Sequence, residues 1–167
     1  QLIDTLSTIL EEMNVVYHEQ KAGNIDVFIE AKNFAGAYGR MATGVNDGMK
    51  MHIDNTVKIL NILGKYADGD FSMVLEKLPG KQALANEMMD KLRGNLMTII
   101  AEINNLSLSC VEGKLATRGD ATRFQGDYRK IIEGINDMLN ALISPLNVTA
   151  EYVDRISKGD IPPKITD

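Results

Sequence analysis

Tryptophan is absent from this chain of 167 residues, and aromatic residues are scarce, with four phenylalanines and five tyrosines. Cysteine occurs once, as Cys110, so no internal disulfide can form. Small secreted domains usually depend on such cross-links, which makes a reducing, cytoplasmic setting the expectation. An excess of positive charge is also missing: the formal net charge of -5 gives no electrostatic reason to expect nucleic acid or an anionic membrane as partner. No apolar run approaches the roughly 18 residues that a membrane span needs. No serine, histidine and carboxylate are placed to suggest a nucleophile, and no phosphate loop occurs, so the chain is not expected to be an enzyme or to hold a cofactor. It begins at Gln1 without a methionine or signal peptide and stops in the middle of a pattern, which reads as a piece of something longer.

What is present is a helix-forming mixture, with nine methionines among many leucines and isoleucines, arranged as a repeat. A glycine, a polar residue and a large apolar residue recur as GNI at Gly23, GDF at Gly69, GKL at Gly113 and GDI at Gly159, separated by 46, 44 and 46 residues. A second glycine follows the first three, at Gly36, Gly80 and Gly126. GVNDGM from Gly44 and GINDML from Gly134 are offset by 90, as are Gly23 and Gly113. Two kinds of module therefore alternate: first kind, second kind, first kind, and the opening of a fourth.

Between these landmarks the apolar spacing is helical. Leu2, Leu6, Ile9, Met13 and Val16 step by four, three, four and three, the narrow seam of a coiled coil, and Ile99, Ile103, Leu106 and Cys110 do the same. The segments Ala37 to Ala67, Lys81 to Glu112 and Asp127 to Lys158 show no stop, although Pro145 must disturb the last of them. Glycine just past a periodic segment suits a left-handed helix cap. About a dozen residues then precede the next helix, far more than the 2–8 typical of a helix–helix turn. A connector of that length can reach about 40 Å, enough to run back along a helix of about 24 Å, so the second helix is expected to lie parallel to the first. Two parallel helices with narrow seams cannot enclose a core; a second copy of the chain would complete a parallel four-helix bundle.

This organisation resembles the HAMP domain, the parallel four-helix relay module of chemoreceptors and sensor kinases, and in particular the tandem arrays of soluble, aerotaxis-like methyl-accepting receptors. The succession from GNIDVFIEA through GVNDGM to LPGKQA carries the resemblance, which extends over the whole chain. It implies an all-α fold of concatenated modules formed by a parallel homodimer and joined by long contiguous helices, with units at 1–52, 53–98 and 99–142 and a truncated fourth at 143–167. It also implies connector residues that fold back onto the bundle two and six positions after each first glycine. Those are Ile25 and Ile29, Phe71 and Leu75, Leu115 with Gly119 in the second place, and Ile161 and Ile165. Because Gly119 cannot plug a core, Phe124 is the expected substitute. Pro145, 14 residues before Gly159, matches a proline of the family's first helix. An acidic residue that many members carry two positions before the second glycine is missing, with Phe34, Leu78 and Phe124 in its place. The implied function is an intracellular signal relay whose partners are a second copy and the sensor and output domains of the same longer chain. The alternative is a passive helical spacer or an α-solenoid scaffold, whose helices would be antiparallel with short turns.

Other motifs carry less. Arg118, Gly119 and Asp120 spell an adhesion triplet, but within a connector they are expected to be a solvated surface. His18 with Glu11, Glu12 and Glu19 shares a helical face without the convergence a metal site needs. His52 and Cys110 fall on apolar seams, and Asn147-Val148-Thr149 lies in a helix.

Overall fold

The computed structural model describes residues 2–164, so Ile165 lies outside the described residues. Its regular structure consists of α1 (Leu2–Lys21), α2 (Gly36–Ala67), α3 (Ala83–Val111) and α4 (Gly126–Ser157). Short 3-10 turns stand at Ala31–Asn33, Gly80–Gln82 and Ala121–Arg123. No strand occurs among the described residues. Two compact bodies divide the chain, Gln1–Met89 and Asp90–Asp167, and α3 runs through the division. Helices α2 and α4 each hold 32 residues, and α4 continues past Pro145. A proline there removes one rung of the ladder without ending a helix that long.

Each helix exit has the same cause. At the end of α1, Gly23 adopts φ of 100°, its N–H donates to the Gln20 carbonyl at 3.0 Å, and the Asn24 N–H donates to the Glu19 carbonyl at 2.9 Å. This pair of bonds satisfies carbonyls that the helix leaves open and requires a left-handed residue, which glycine supplies without a Cβ clash. The same two bonds recur at Gly69, Gly113 and Gly159. The glycines that precede or open the second helices, Gly36, Gly80 and Gly126, also have positive φ, between 54° and 60°. All seven landmark glycines of the repeat are thus left-handed turning points.

Within the first body, Ile9 and Val16 of α1 pack with Ile29, Phe34 and Ala42, and Tyr38, Val45 and Met49 lie against this cluster. Farther along, Ile62, Tyr66, Leu75, Leu78 and Met89 are buried. In the second body, Ile99, Phe124 and Ile132 form the corresponding cluster, flanked by Tyr128. The order of neighbours ascends along both helices of a pair. Gln20, near the end of α1, meets Met49 rather than the start of α2. Lys91 and Asn95 line a cavity with Phe124 and Tyr128, whereas Leu106, farther along α3, and Ile132 both approach Gly119. The paired helices therefore run in the same direction, as the connector length requires.

The seams are divided in a way that spacing alone did not show. Ile9 and Val16, seven apart, are buried, whereas Leu6 and Met13 of the same stripe are exposed. Ninety residues later Ile99 and Leu106 are buried and Ile103 is exposed. A stripe with three-four spacing is wide enough for two neighbours, and the chain's own second helix covers only one flank.

The helix exits can be tested directly. Gly69→Ala places a Cβ at φ of 83° and is expected to lower stability by about 1–2 kcal/mol. Gly64→Ala, inside α2 with open space around it, is expected to raise stability by about 0.5–1 kcal/mol. Thermal unfolding at one fixed protein concentration checks both signs.

Candidate functional site

The connectors are irregular backbone that must lie against helices, so their buried side chains and their polar groups both need partners. Of the residues placed there by the repeat, Ile29, Leu75 and Phe124 are buried. Phe71 is half-buried, its ring centroid 5.6 Å from that of Tyr66. Tyr66 Oη in turn donates to the Met73 carbonyl at 2.8 Å, fixing the connector beside the last turn of α2. Ile25 and Leu115 differ from the expectation that they pack on the bundle: they are 42% and 39% exposed. Each sits in a second tight turn directly after its helix, before the connector has begun its return, so few side chains lie within reach. Ile161 is 86% exposed. Pro145 is an exposed residue of α4, and Thr149 Oγ1 donates to its carbonyl at 2.9 Å.

Phe34, Leu78 and Phe124, which replace the family's acidic residue, are all buried and form a third anchor in each connector. Phe124 is accordingly the counterpart of Phe34 and does not stand in for the anchor missing at Gly119. That space is filled from the opposite side. A Cβ at Gly119 would lie 2.7 Å from Ile132 Cγ2 and 3.1 Å from Leu106 Cδ1. In the first module the same two positions are Ile29 and Ala42, which share one buried cluster. A large connector residue over a small helix residue has become a small connector residue under a large one, and the total volume changes by only a methyl group.

The polar partners were not recognised in the sequence. Ile29 N–H donates to Asn46 Oδ1 at 3.0 Å, and Asn46 Nδ2 donates to the Ile29 carbonyl at 2.7 Å. In the third module Gly119 N–H donates to Asn136 Oδ1 at 2.8 Å, and Asn136 Nδ2 donates to the Gly119 carbonyl at 2.9 Å. In the second module Asn86 accepts from Leu78 N–H at 2.9 Å and donates to the Leu75 and Glu76 carbonyls at 2.9 and 3.0 Å. An asparagine side chain carries both a donor and an acceptor, so Asn46 and Asn136 each satisfy both groups of one connector residue, and Asn86 serves groups of three. The signal was available as the N shared by GVNDGM and GINDML, but an isolated asparagine on a helix reads as a surface residue. The first helices also contribute: Glu12 Oε2 accepts from Glu30 N–H at 2.9 Å, and Glu102 Oε1 accepts from Asp120 N–H at 3.1 Å. The corresponding position of the second module is Lys58, which forms an exposed ion pair with Glu76 at 3.4 Å.

The adhesion triplet is not the solvated linker expected of it. Arg118 donates through Nε to Asn140 Oδ1 at 2.8 Å and through Nη1 to the Leu115 and Thr117 carbonyls, and Gly119 is buried. Asp120 accepts from the hydroxyl and the N–H of Thr122, which hold its carboxyl below the usual range. The Arg and Asp of the triplet are thus engaged in shaping the connector. His52 Nδ1 lies 3.3 Å from Gln82 Nε2, and Asn55 Nδ2 donates to Gln82 Oε1 at 3.0 Å, joining α2 to the turn before α3. No group of three potential metal ligands occurs among the described residues. Nor is any helix of the described residues long and apolar enough to cross a membrane.

This geometry can position helices relative to one another, and comparison with known proteins agrees with that role. Residues 56–97 match the HAMP N-terminal domain 3 profile, and residues 123–167 match the HAMP domain profile. Over 96 residues the chain is 33% identical to the methyl-accepting chemotaxis protein McpB of Pseudomonas aeruginosa. The aligned part covers 58% of this chain and 14% of that protein, so the chain spans only a small part of its relative's length.

The exchanged anchor pair yields a sharp expectation. Gly119→Ile alone overpacks the site against Ile132 and should cost about 1–3 kcal/mol, and Ile132→Ala alone should cost about 2–5 kcal/mol. The double variant reproduces the Ile29–Ala42 pair and should recover at least about 1 kcal/mol relative to the sum of the single changes. Denaturant unfolding of the four proteins measures the coupling; strict additivity would contradict the exchange.

Proposed function

The chain is an array of HAMP domains, and from that premise we propose that it is the signal-relay segment of a bacterial chemoreceptor, working as a parallel homodimer. The boundaries 1–52, 53–98, 99–142 and 143–167 belong to this proposal, as do a cytoplasmic location and the sensor and output domains of a longer chain as partners. The array itself carries out no catalysis in this reading. The observation that carries it is the unpaired flank of the helices. On α1, Ile3, Leu6, Leu10, Met13 and Tyr17 step by three, four, three and four and are all exposed. On α4, Ile131, Met138, Leu142, Val153 and Ile156 are exposed along a similar stripe. Parallel helices with a heptad seam left open are half of a four-helix bundle, and a second copy supplies the matching half. An α-solenoid is set aside because its neighbouring helices run antiparallel with short turns.

A relay needs two packings separated by only a few kcal/mol, so that an input at one end can bias the choice. Helix α2 has features suited to that. Gly39 is required for close approach, since a Cβ there would collide with the Phe34 carbonyl. Gly44 and Gly48 have nothing within 4 Å, so no contact inside the chain demands them, and each lowers helix stability by about 1 kcal/mol. Met49, Met51 and Met41 on the same helix repack readily.

Two measurements test the reading. Sedimentation at micromolar concentration is expected to show a dimer; a stable monomer would remove the proposed architecture. In the full-length receptor, deleting one residue within 49–55 of α2 rotates everything after it by about 100° and shortens the helix by about 1.5 Å, and should lock or invert the output. Deleting seven residues nearly restores the seam and should be milder. Unchanged signalling after the one-residue deletion would leave a passive spacer.

A further inference from the structure

The connectors of the first and third modules are fastened to both of their helices through two adjacent residues. Ile29 is held by Asn46 of α2 through its N–H and its carbonyl, and the next residue, Glu30, is held by Glu12 of α1 through its N–H. Gly119 is held in the same double manner by Asn136 of α4, and Asp120 by Glu102 of α3. Glu102 is further tied to Arg123 at 3.1 Å, and its side chain is only 12% exposed. In the second module the grip on the second helix persists, because Asn86 donates to the Leu75 carbonyl six residues after Gly69, the same place as Ile29 after Gly23. The grip on the first helix takes another form, since Tyr66 Oη of α2 donates to the Met73 carbonyl at 2.8 Å and, among the described residues, no carboxylate of that helix holds the connector. Lys58 and Glu76 meet there through side chains that are 54% and 85% exposed, a contact of little strength in water. The connector is also shorter, with 11 residues from Gly69 to Gly80 against 13 from Gly23 to Gly36 and from Gly113 to Gly126.

We infer that residues 29–30 and 119–120 are two-ended straps that make the helices of the first and third modules move as one, each strap joining a carboxylate of the first helix and an asparagine of the second through adjacent backbone groups. This rests on the relay reading and adds to it a role for four residues: Asn46, Glu12, Asn136 and Glu102 are positioning residues that couple the two helices of a module through its connector. A strap works in series. Cutting either end frees the helices from one another, and cutting the second end then changes nothing more. Independent stabilising contacts behave differently, since their losses add.

The test uses the full-length receptor with Asn46→Ala, Glu12→Ala, the double variant, and Lys58→Ala for comparison. Amide exchange followed by mass spectrometry should show residues 27–31 exchanging about tenfold faster in the first three proteins, the scale of one lost hydrogen bond, and no change there in Lys58→Ala. Signalling output should shift in the same sense in Asn46→Ala and Glu12→Ala, the double variant should shift no further than either, and Lys58→Ala should leave output unchanged. Asn46→Asp guards against simple misfolding: it keeps the size and the acceptor but turns a carboxylate oxygen toward the Ile29 carbonyl, and it should match Asn46→Ala. Faster exchange with unaltered output, additive shifts in the double variant, or unaltered exchange would each overturn the strap. The relay reading itself fails by a separate result, unaltered output after the one-residue deletion in α2.

Discussion

A chain that leaves a helix and returns to start another beside it, pointing the same way, must carry its backbone back along the first helix without secondary structure. Every N–H and C=O of that return path that approaches the bundle needs a partner, and each unpaired buried group costs about 1–3 kcal/mol. The whole architecture depends on meeting this constraint. Asn46, Asn86 and Asn136 meet it from the second helices, and Glu12 and Glu102 meet it from two of the first helices. The apolar anchors complete the attachment: Ile29 with Phe34, Leu75 with Leu78, and Ile132 reaching over Gly119 beside Phe124.

The alternation of module kinds follows from how that constraint is met. The first and third modules share the offset of 90 in their asparagines, their glutamates and their phenylalanines, and they differ chiefly in which side contributes the bulk at one core position. Exchange of size between two touching positions preserves packing while changing both residues, so neither position alone identifies the kind of module. The middle module uses a shorter connector and an asparagine six residues after Gly80, where the others stand ten residues after Gly36 and Gly126. A side chain of fixed reach must start from a different turn when the connector is shorter.

Energetically, each pair of helices is incomplete. Ile9 and Val16 are satisfied within the chain, but Leu6, Leu10 and Met13 are left in water, as are Met138 and Leu142. Apolar surface of this kind gains about 25 cal/mol for each Å² removed from water, which is the driving force on which the proposed dimer would draw. In the proposed dimer, a change in the angle or separation of the two copies would alter the same helices that the connectors hold.

The sequence alone determined the helices, their ends and their direction, because these follow from local rules. Seven glycines at repeating positions mark left-handed turns, and connectors too long for a hairpin imply parallel helices. The seams were legible as three-four spacing, but which flank is buried within the chain was not, since Leu6 and Ile9 are alike as residues and differ only in what lies opposite. The connector anchors were legible at Ile29 and Leu75, but the role of Phe124 as counterpart of Phe34 was not, nor was the exposure of Ile25 and Leu115, which depends on a second turn that delays the chain's return. The triplet at Arg118 looked like solvated loop until its guanidinium was seen against Asn140 and two carbonyls. Least legible were the asparagines and the Gly119–Ile132 exchange. Periodicity reports which face of a helix is apolar; it is silent about which polar side chain meets a backbone group 17 residues away, and about which of two partners fills a shared volume. Those choices belong to the tertiary structure, where hydrogen-bond direction and close packing act between residues that the sequence keeps apart.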